Sequence, residues 1–338
     1  MGLLQALKAG RWRGCRFALA TILAYFASWS VALAASAAIE EFPIGGGESD
    51  PADVVVGPDG KVWFTEFNGN RISSLDPDTG AVDRFDIGVR YGSPGAITVG
   101  ADGNLWFTEE AYEALGRLDP DTGEISEWGP VKGSASFSGI TSGPDGNIWF
   151  TEYRGNQIVR SEYVSEERLD WTKFPIPTER SRPYDIAVGV DDNLWFTEVG
   201  ARQLGKVSPA DGQIQEYPLR RARRPTGIAT APDGAIWIAA TRSDRLIRLY
   251  PDRPRVQRRF PVPKGSGPSS LVVAADGLVW FTEQARGRIG RLNPRTGRVK
   301  EFRTRSRDTE PDGIAIGEGS VWFAEFSGDR IGRIRINR

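Results

Sequence analysis

The segment Val62-Trp63-Phe64-Thr65-Glu66 decides the fold, because close copies of it recur along most of the chain. The tryptophans of the seven copies follow one another at intervals of 43, 43, 46, 42, 43 and 42 residues. A period of about 20 to 50 residues is typical of solenoids, propellers and other arrays of stacked units. The seven tryptophans are Trp63, Trp106, Trp149, Trp195, Trp237, Trp280 and Trp322.

Turn signals surround each copy. An Asp-Gly pair such as Asp59-Gly60 precedes most tryptophan segments, and glycine accepts the positive φ that a tight hairpin requires. A third run follows, as in residues 289–292, then a second turn, as in residues 119–123, and a fourth run, as in residues 214–217. Four short strands in one repeat predict an antiparallel meander, which is the blade of a β-propeller.

The two ends of the chain complete this pattern. The last copy stops after its third run, residues 331–336, whereas residues 39–44 stand alone as a fourth run. We therefore predict an all-β protein, a seven-bladed β-propeller of four-stranded antiparallel blades in which the N-terminal strand completes the last blade. Such a closure removes the unpaired strand edges that an open array exposes.

The first residues follow a different pattern. An apolar stretch, residues 17–34, is followed by three small residues, 35–37. This predicts a signal peptide over residues 1–37 and a single propeller domain over residues 38–338, exported to the periplasm or the extracellular space as a monomer without membrane contact. An uncleaved anchor is the alternative, although 18 apolar residues lie at the short edge for crossing a bilayer. The basic residues that precede the apolar stretch are Lys8, Arg11, Arg13 and Arg16.

Charge and cysteine content exclude several classes of function. Without residues 1–37 the chain keeps 39 basic and 44 acidic residues, a net charge of −5, which argues against nucleic-acid binding. Cys15, the one cysteine, leaves with the signal peptide, so the mature chain has no thiol. The sequence also contains no histidine, which excludes a Ser-His-Asp triad.

Two sets of acidic residues are expected at one face of the propeller, because the second strand of each blade ends beside the start of the first. Carboxylates gathered in this way could hold a hard divalent cation, or they could satisfy backbone donors between blades. One set lies three residues after the tryptophans, with Ala240 in the fifth copy: Glu66, Glu109, Glu152, Glu198, Glu283 and Glu325. The other set lies beside the prolines that lead into the repeats: Asp53, Asp185, Glu310 and Asp312.

The fifth copy differs from the others in charge. It is preceded by Arg220, Arg221, Arg223 and Arg224, and Arg242 is predicted on the same face. Because arginine offers a planar fork of donors, this sector could orient an anionic or polar ligand. The alternative is a solvated loop whose arginines only balance the carboxylates.

The repeats, read as a proline, a small residue and isoleucine followed by Trp-Phe-Thr-Glu and Ile-Gly-Arg, resemble the streptogramin (virginiamycin B) lyase family over the whole mature chain. The resemblance implies a seven-bladed propeller that opens a cyclic depsipeptide antibiotic by elimination at a C–O bond, assisted by magnesium. In that family the last blade begins with Glu-Pro-His, where the glutamate binds the metal and the histidine is the general base.

Residue by residue, the resemblance carries over only in part. Glu310-Pro311-Asp312 stands where the family has Glu-Pro-His, which implies that Glu310 is a metal ligand and that Asp312 occupies the position of the base. Glu325 is the nearest candidate for the second metal glutamate. Ser269 replaces a histidine that contacts the substrate in the preceding blade of the family.

Elimination needs a base that takes a carbon-bound proton near neutral pH, and the ordinary pKa of histidine is about 6.5, against about 3.9 for aspartate. The first hypothesis is therefore a lyase-like propeller that binds a small molecule, a peptide or a cell-envelope component through Ser269, Arg224 and Arg242, with altered or lost lyase activity. The second is a magnesium-dependent lyase or a lactone or ester hydrolase with Asp312 as the base. The third is a structural protein-interaction propeller.

Overall fold

The seven predicted blades are present in the computed structural model, which describes residues 39–336 except 46, 48, 130–135 and 307–308. Each blade is a four-stranded antiparallel sheet in which strands that are adjacent in sequence are paired, and in one blade the first described strand of the chain also pairs with the last. The first strand of each blade contacts the first strand of the next, and that of the seventh contacts that of the first. The ring is closed, which confirms the predicted seven-bladed β-propeller.

The strand boundaries follow the sequence repeats. Blades one and two contain β2 (Pro51–Val56), β3 (Val62–Glu66), β4 (Arg71–Leu75), β5 (Val82–Asp86), β6 (Pro94–Val99), β7 (Leu105–Glu109), β8 (Ala114–Leu118) and β9 (Ile125–Trp128). Blades three and four contain β10 (Phe137–Ser142), β11 (Ile148–Glu152), β12 (Gln157–Ser165), β13 (Arg168–Pro175), β14 (Pro183–Val188), β15 (Leu194–Glu198), β16 (Gln203–Val207) and β17 (Ile214–Pro218).

The remaining three blades repeat this order. Blades five and six contain β18 (Pro225–Thr230), β19 (Ile236–Ala240), β20 (Arg245–Leu249), β21 (Arg258–Pro261), β22 (Pro268–Val273), β23 (Val279–Glu283), β24 (Arg288–Leu292) and β25 (Val299–Arg303). Blade seven contains β26 (Pro311–Gly317), β27 (Ser320–Glu325), β28 (Arg330–Arg335) and β1 (Glu40–Pro43). Short 3-10 helices follow the second strand of these blades at Thr241–Ser243, Gln284–Arg286 and Phe326–Gly328.

The tryptophan side chain on the second strand of each blade packs against an aromatic ring of the fourth strand. In all seven blades the ring centroids are 5.1 to 5.8 Å apart, a distance typical of stabilising aromatic pairs. In blade one the indole N–H of Trp63 also donates to Asp59 of the preceding turn at 3.1 Å. The tryptophan therefore joins the first turn of its blade to the outermost strand.

The phenylalanine after the tryptophan explains the glycine of the third strand. The ring of Phe196 lies so close over Gly205 that a Cβ at Gly205 would collide with it. Blade five has Ile238 and Ile247 at the corresponding positions, which pair across the two strands. In blades two, four, six and seven the glycine thus leaves room for the aromatic ring, whereas Ser73 and Val159 lie opposite the phenylalanines of blades one and three.

The threonine of the motif links one blade to the next. The hydroxyl of Thr65 accepts the N–H of Asp53 at 3.0 Å and donates to the carbonyl of Gly95 in blade two at 2.8 Å. Thr197 makes the same bond to the carbonyl of Thr226 at 2.7 Å. These buried hydrogen bonds fix the first strands around the central channel.

Strand β1 pairs with β28, which confirms the predicted closure of the ring. Glu40 lies opposite Arg333 and Phe42 lies opposite Ile331 in antiparallel register. The predicted signal peptide lies outside the described residues. Within the described part of the chain, no helix has the length and apolar character needed to cross a bilayer.

Candidate binding site at the channel mouth

Each blade begins with the same strained turn. The residue before the first strand has a positive φ between 44° and 58° in all seven blades. In six blades this residue precedes a proline, where helical conformations are normally avoided, so the surroundings must hold this geometry; in blade three it precedes Phe137. The carbonyl of Arg224, for example, accepts the N–H of Thr241 at 3.0 Å. We call these residues the rim: Asp50, Ser93, Ser136, Arg182, Arg224, Gly267 and Glu310.

Charge is distributed unevenly around the rim. Its acidic members, Glu310 and Asp50, belong to blades seven and one, which are neighbours through the closure. Its basic members, Arg182 and Arg224, belong to blades four and five, on the opposite side of the ring. The rim is therefore bipolar across the mouth of the channel.

A cavity of about 140 Å³ lies inside the rim, between the first strands. Ser269, which is 7 % exposed, donates from its Oγ to Oδ1 of Asp312 at 3.2 Å. The structure thus brings two of the predicted site residues into contact. The ionisable and hydroxyl side chains of the lining include Asp53, Glu110, Tyr184, Asp185, Ser269 and Asp312.

The aspartates of this cavity fall into two classes. Asp185 accepts the N–H groups of Ile186 at 2.8 Å and of Ile228, in the next blade, at 2.9 Å. Asp53 forms the same two kinds of bond in blades one and two. Asp312 lies one residue earlier in its strand, and no described backbone N–H donates to it. We call Asp53 and Asp185 interblade clamps, because their carboxylates link neighbouring blades through hydrogen bonds. Asp312 forms no such bond with the described backbone, so its carboxylate is available to a ligand.

Glu110 is a cavity residue that sequence reasoning missed. Burial raises the pKa of Glu110 to about 7, and the nearby Asp312 adds to the effect. Burial likewise raises the pKa of Asp312 to about 6, although the hydrogen bond from Ser269 opposes this shift. The sequence signal was a second glutamate directly after the repeated Glu109, where the first blade has Phe67.

The repeated glutamates do not line this cavity. They are at most 1 % exposed and lie within the blades, beside residues of the third and fourth strands. In blade three, Glu152 pairs with Lys173 at 2.8 Å. In four other blades, burial and a second glutamate on the fourth strand raise the pKa to about 8. These carboxyl pairs are Glu109 with Glu127, Glu198 with Glu216, Glu283 with Glu301, and Glu325 with Glu41.

The two predicted metal ligands lie at different depths. Glu310 is on the exposed rim, where Oε2 accepts the hydroxyl of Ser327 at 2.8 Å. Glu325 is fully buried, and its carboxylate oxygens have no hydrogen-bond partner among the described residues. Glu109 and Glu283 share this property, so it belongs to the repeat rather than to a metal site. Within the described ranges, no group of three or more histidine, cysteine or acidic side chains is placed to hold an ion.

The two predicted arginine contacts lie in one pocket. A cavity of about 440 Å³ beside the channel mouth is lined by Arg224 and Arg242, by Arg223 of the predicted basic sector, and by Arg182 and Arg202, which the sequence did not indicate. The five guanidinium groups belong to exposed residues, and none forms an ion pair with a described carboxylate. We call this set the arginine pocket: Arg182, Arg202, Arg223, Arg224 and Arg242.

Comparison with known proteins identifies the family. The chain superposes with a streptogramin B lyase at a TM-score of 0.81 and 30 % identity, over 88 % of this chain and 97 % of that chain. It matches a catalytically inactive histidine-to-alanine variant of virginiamycin B lyase from Staphylococcus aureus, solved with quinupristin, at 0.81 and 29 %, over 88 % and 99 % of the two chains. No curated protein sequence matches the chain. The profile of the Virginiamycin B lyase family matches residues 31–249 and 220–338, and the chain belongs to that family.

Proposed function

We propose that this protein is an exported binding propeller that takes a small molecule or a cell-envelope component at the channel mouth, and that the lyase activity of its family is altered or lost. The observation that carries the proposal is the pair Ser269 and Asp312, joined by a hydrogen bond of 3.2 Å inside the cavity. These two residues stand where the resemblance places two functional histidines.

The related structures support the loss of the usual chemistry. Replacing one histidine by alanine gives a catalytically inactive virginiamycin B lyase, and this chain has no histidine at all. General base catalysis contributes about 10²- to 10⁴-fold to a rate. Losing a suitable base therefore removes much of the catalytic power while leaving the cavity able to bind.

The cavity also favours recognition. It combines a hydroxyl donor, Ser269, with carboxyl groups such as Glu110 and Asp312 that the fold does not use as backbone clamps. A small concave site with a few convergent polar groups is the usual form of a ligand site. It therefore suits a ligand that presents hydroxyl or amide groups to the channel.

Quinupristin tests the catalytic part of the proposal. We expect this protein to linearise quinupristin at least about 10²-fold more slowly than the Staphylococcus aureus enzyme, as followed by mass spectrometry. A comparable rate would overturn the loss of activity. Thermal melting with quinupristin and with soluble peptidoglycan fragments tests binding, because a ligand of the folded state raises the midpoint.

Variants of the cavity connect such a shift to the site. We expect the double variant Ser269→Ala/Asp312→Asn to lose the shift. Asp276→Asn, in an exposed turn on the opposite face, should keep it. A shift that survives in the double variant would place the ligand elsewhere, and no shift with any of these probes would count against binding at the mouth.

The second candidate is a lyase or a lactone or ester hydrolase in which Asp312 is the base. The observation that favours it is that Asp312, unlike Asp185, receives no described backbone N–H and keeps Oδ2 free for a substrate proton. In an elimination, Asp312 would take the carbon-bound proton while a C=C bond forms, the C–O bond breaks and the released oxygen leaves as a carboxylate. In a hydrolysis, Asp312 would take a proton from water as the water oxygen adds to the carbonyl carbon, and the departing alkoxide would receive that proton as the ester bond breaks. Hydrolysis of simple lactones that is lost in Asp312→Asn and unaffected by Asp276→Asn would favour this candidate.

The magnesium requirement expected from the resemblance is tested separately. Melting curves with and without millimolar magnesium measure whether the folded state binds the ion. A rise in the midpoint that disappears in Glu310→Gln would support a metal site at the rim. An unchanged midpoint would remove magnesium from both candidates.

A further inference from the structure

We propose that the arginine pocket binds a compact dianionic group, a phosphate or a pair of carboxylates, at one end of the ligand whose remainder lies over the channel mouth. This inference rests on the proposed binding function and names the class of ligand. The charge, the local sequence and the position of the pocket each support it.

The charge of the pocket is not balanced by the protein. Five guanidinium groups share a cavity of about 440 Å³, and no described carboxylate pairs with any of them. Other arginines of the propeller that share a site with a carboxylate are paired with it, as Arg117 is with Asp102 at 3.1 Å and Arg288 is with Glu301 at 3.0 Å. Like charges gathered without a counterion repel one another, and a bound anion relieves that repulsion.

Blade five lacks the buried acidic pair of its two neighbours. Ala240 stands where the other six blades have a glutamate at the end of the second strand. The fourth strand of this blade carries Arg259, where neighbouring blades four and six have Glu216 and Glu301. The two positions that form acidic pairs in those neighbours are therefore without a negative charge in blade five.

The backbone fixes the arginines before any ligand arrives. The N–H of Arg223 donates to the Ser243 hydroxyl at 2.7 Å, and the N–H of Arg242 donates to the carbonyl of Arg223 at 3.0 Å. Arg224 is held at a φ of 55° by the rim geometry. A backbone that is already ordered loses less conformational freedom on binding, which favours affinity for a matching anion.

The size of the pocket and its surroundings select a compact anion. Arginine forks match the oxygens of phosphate and carboxylate two at a time, so five of them suit a group with several oxygens. The opposite rim carries Glu310 and Asp50, which would repel a long polyanion laid across the mouth.

The pocket is continuous with the channel cavity along the chain. Arg182 and Arg224 each precede a proline whose following residue, Tyr184 or Thr226, lies on a first strand at the channel. A ligand anchored by its anionic group would thus present its other end to Ser269 and Asp312. The bipolar rim orients it in one direction only.

Calorimetric titration with sodium pyrophosphate and with citrate tests the inference. At low ionic strength we expect the unmodified protein to bind at least one probe, and the arm that binds shows whether phosphate or carboxylate oxygens are preferred. Arg224→Gln/Arg242→Gln should weaken binding at least about tenfold. The matched control, Arg295→Gln/Arg298→Gln, removes two exposed arginines from a turn on the opposite face and should leave the dissociation constant within about twofold.

Two results would overturn the inference: no binding of either probe at low ionic strength, or an equal loss of binding in the control. The experiment also separates this inference from the proposed function. If quinupristin or a peptidoglycan fragment (the channel probes) binds and neither anion does, the proposed dianion site is wrong and the binding function stands. If an anion binds specifically and no channel probe does, the dianion site stands and the proposed function falls.

Discussion

The guanidinium of Arg333 holds the carboxylate of Glu40 through Nη2 at 2.6 Å and Nε at 3.0 Å, across the seam where the two ends of the chain meet. Arg333 is 6 % exposed and also lies 5.0 Å from the ring centroids of Phe42 and Trp322. A single side chain thus binds the closing strand by charge and by cation–π contact.

Arg333→Ala should therefore loosen the closure. We expect the free energy of unfolding to fall by about 1 to 3 kcal/mol, because a half-exposed ion pair, the hydrogen bond to the carbonyl of Pro77 and two aromatic contacts are lost. Arg335→Ala is the matched control, since Arg335 approaches the same carboxylate at 3.6 Å from an exposed position and should cost at most about 1 kcal/mol. Equal losses in urea denaturation would show that the seam does not depend on Arg333.

Because of the carboxyl pairs within the blades, we expect the free energy of unfolding to fall as the pH rises. Burial and Glu127 raise the pKa of Glu109 from 4.5 to about 8. The folded protein keeps a proton that the unfolded chain releases, so the stability from this group is complete below about pH 4.5 and is lost as the pH approaches 8.

Glu109→Gln should remove that dependence. We expect the variant to be more stable than the unmodified protein by about 1 to 3 kcal/mol at pH 9, and about equally stable at pH 5, in urea denaturation. Glu152→Gln is the contrasting variant, because Glu152 pairs with Lys173 and its loss should destabilise the protein at both values of pH. Destabilisation by Glu109→Gln at pH 9 would contradict the interpretation that Glu109 keeps its proton in the folded protein.

Asp185 and Asp312 should respond differently to removal of the carboxyl group. Asp185→Ala leaves the N–H groups of Ile186 and Ile228 without their acceptor and should cost about 2 to 3 kcal/mol. Asp312→Ala removes a group that only Ser269 contacts among the described side chains, and it should cost less than about 1 kcal/mol. A larger cost for Asp312→Ala would assign it a structural role in place of ligand binding.

Gly205 should tolerate a side chain only when its aromatic neighbour is reduced. Gly205→Ala drives a methyl group into the ring of Phe196 and should lower the stability by about 1 to 3 kcal/mol. The double variant Gly205→Ala/Phe196→Ile brings the site close to the aliphatic pair of blade five and should recover part of that loss. Additive losses in the two single variants and the double variant would show that the two residues are not coupled.

The fold could be predicted from the sequence because one motif states the same contacts seven times. Its period, its turns and the unpaired run at residues 39–44 define the ring before any coordinates are known. The roles of the residues that line the channel were harder to predict. Asp185 and Asp312 both follow a leading proline and both line the cavity, but they differ by one residue in their strands, so Asp185 accepts two backbone N–H groups whereas Asp312 accepts the Ser269 hydroxyl.

Other parts of the site depend on contacts that a linear pattern does not express. The repeated glutamates lie beside fourth-strand residues more than about 15 positions away, such as Glu127 for Glu109, so their placement inside the blades was not visible. Arg182 and Arg202 meet Arg224 only because blades four and five are neighbours in the ring. The positive φ of the rim residues also runs against the usual preference before proline.

The recurring turn at the rim separates what the backbone needs from what the surface presents. Aspartate, serine, arginine, glycine and glutamate all adopt a similar φ there, and in six of the blades the carbonyl of this residue accepts the backbone N–H that follows the second strand. The seven rim positions share one backbone conformation. They can therefore carry different side chains without disturbing the ring beneath them. A propeller of this kind can change its ligand through substitutions at the rim, while the packing of the tryptophan strands remains the same.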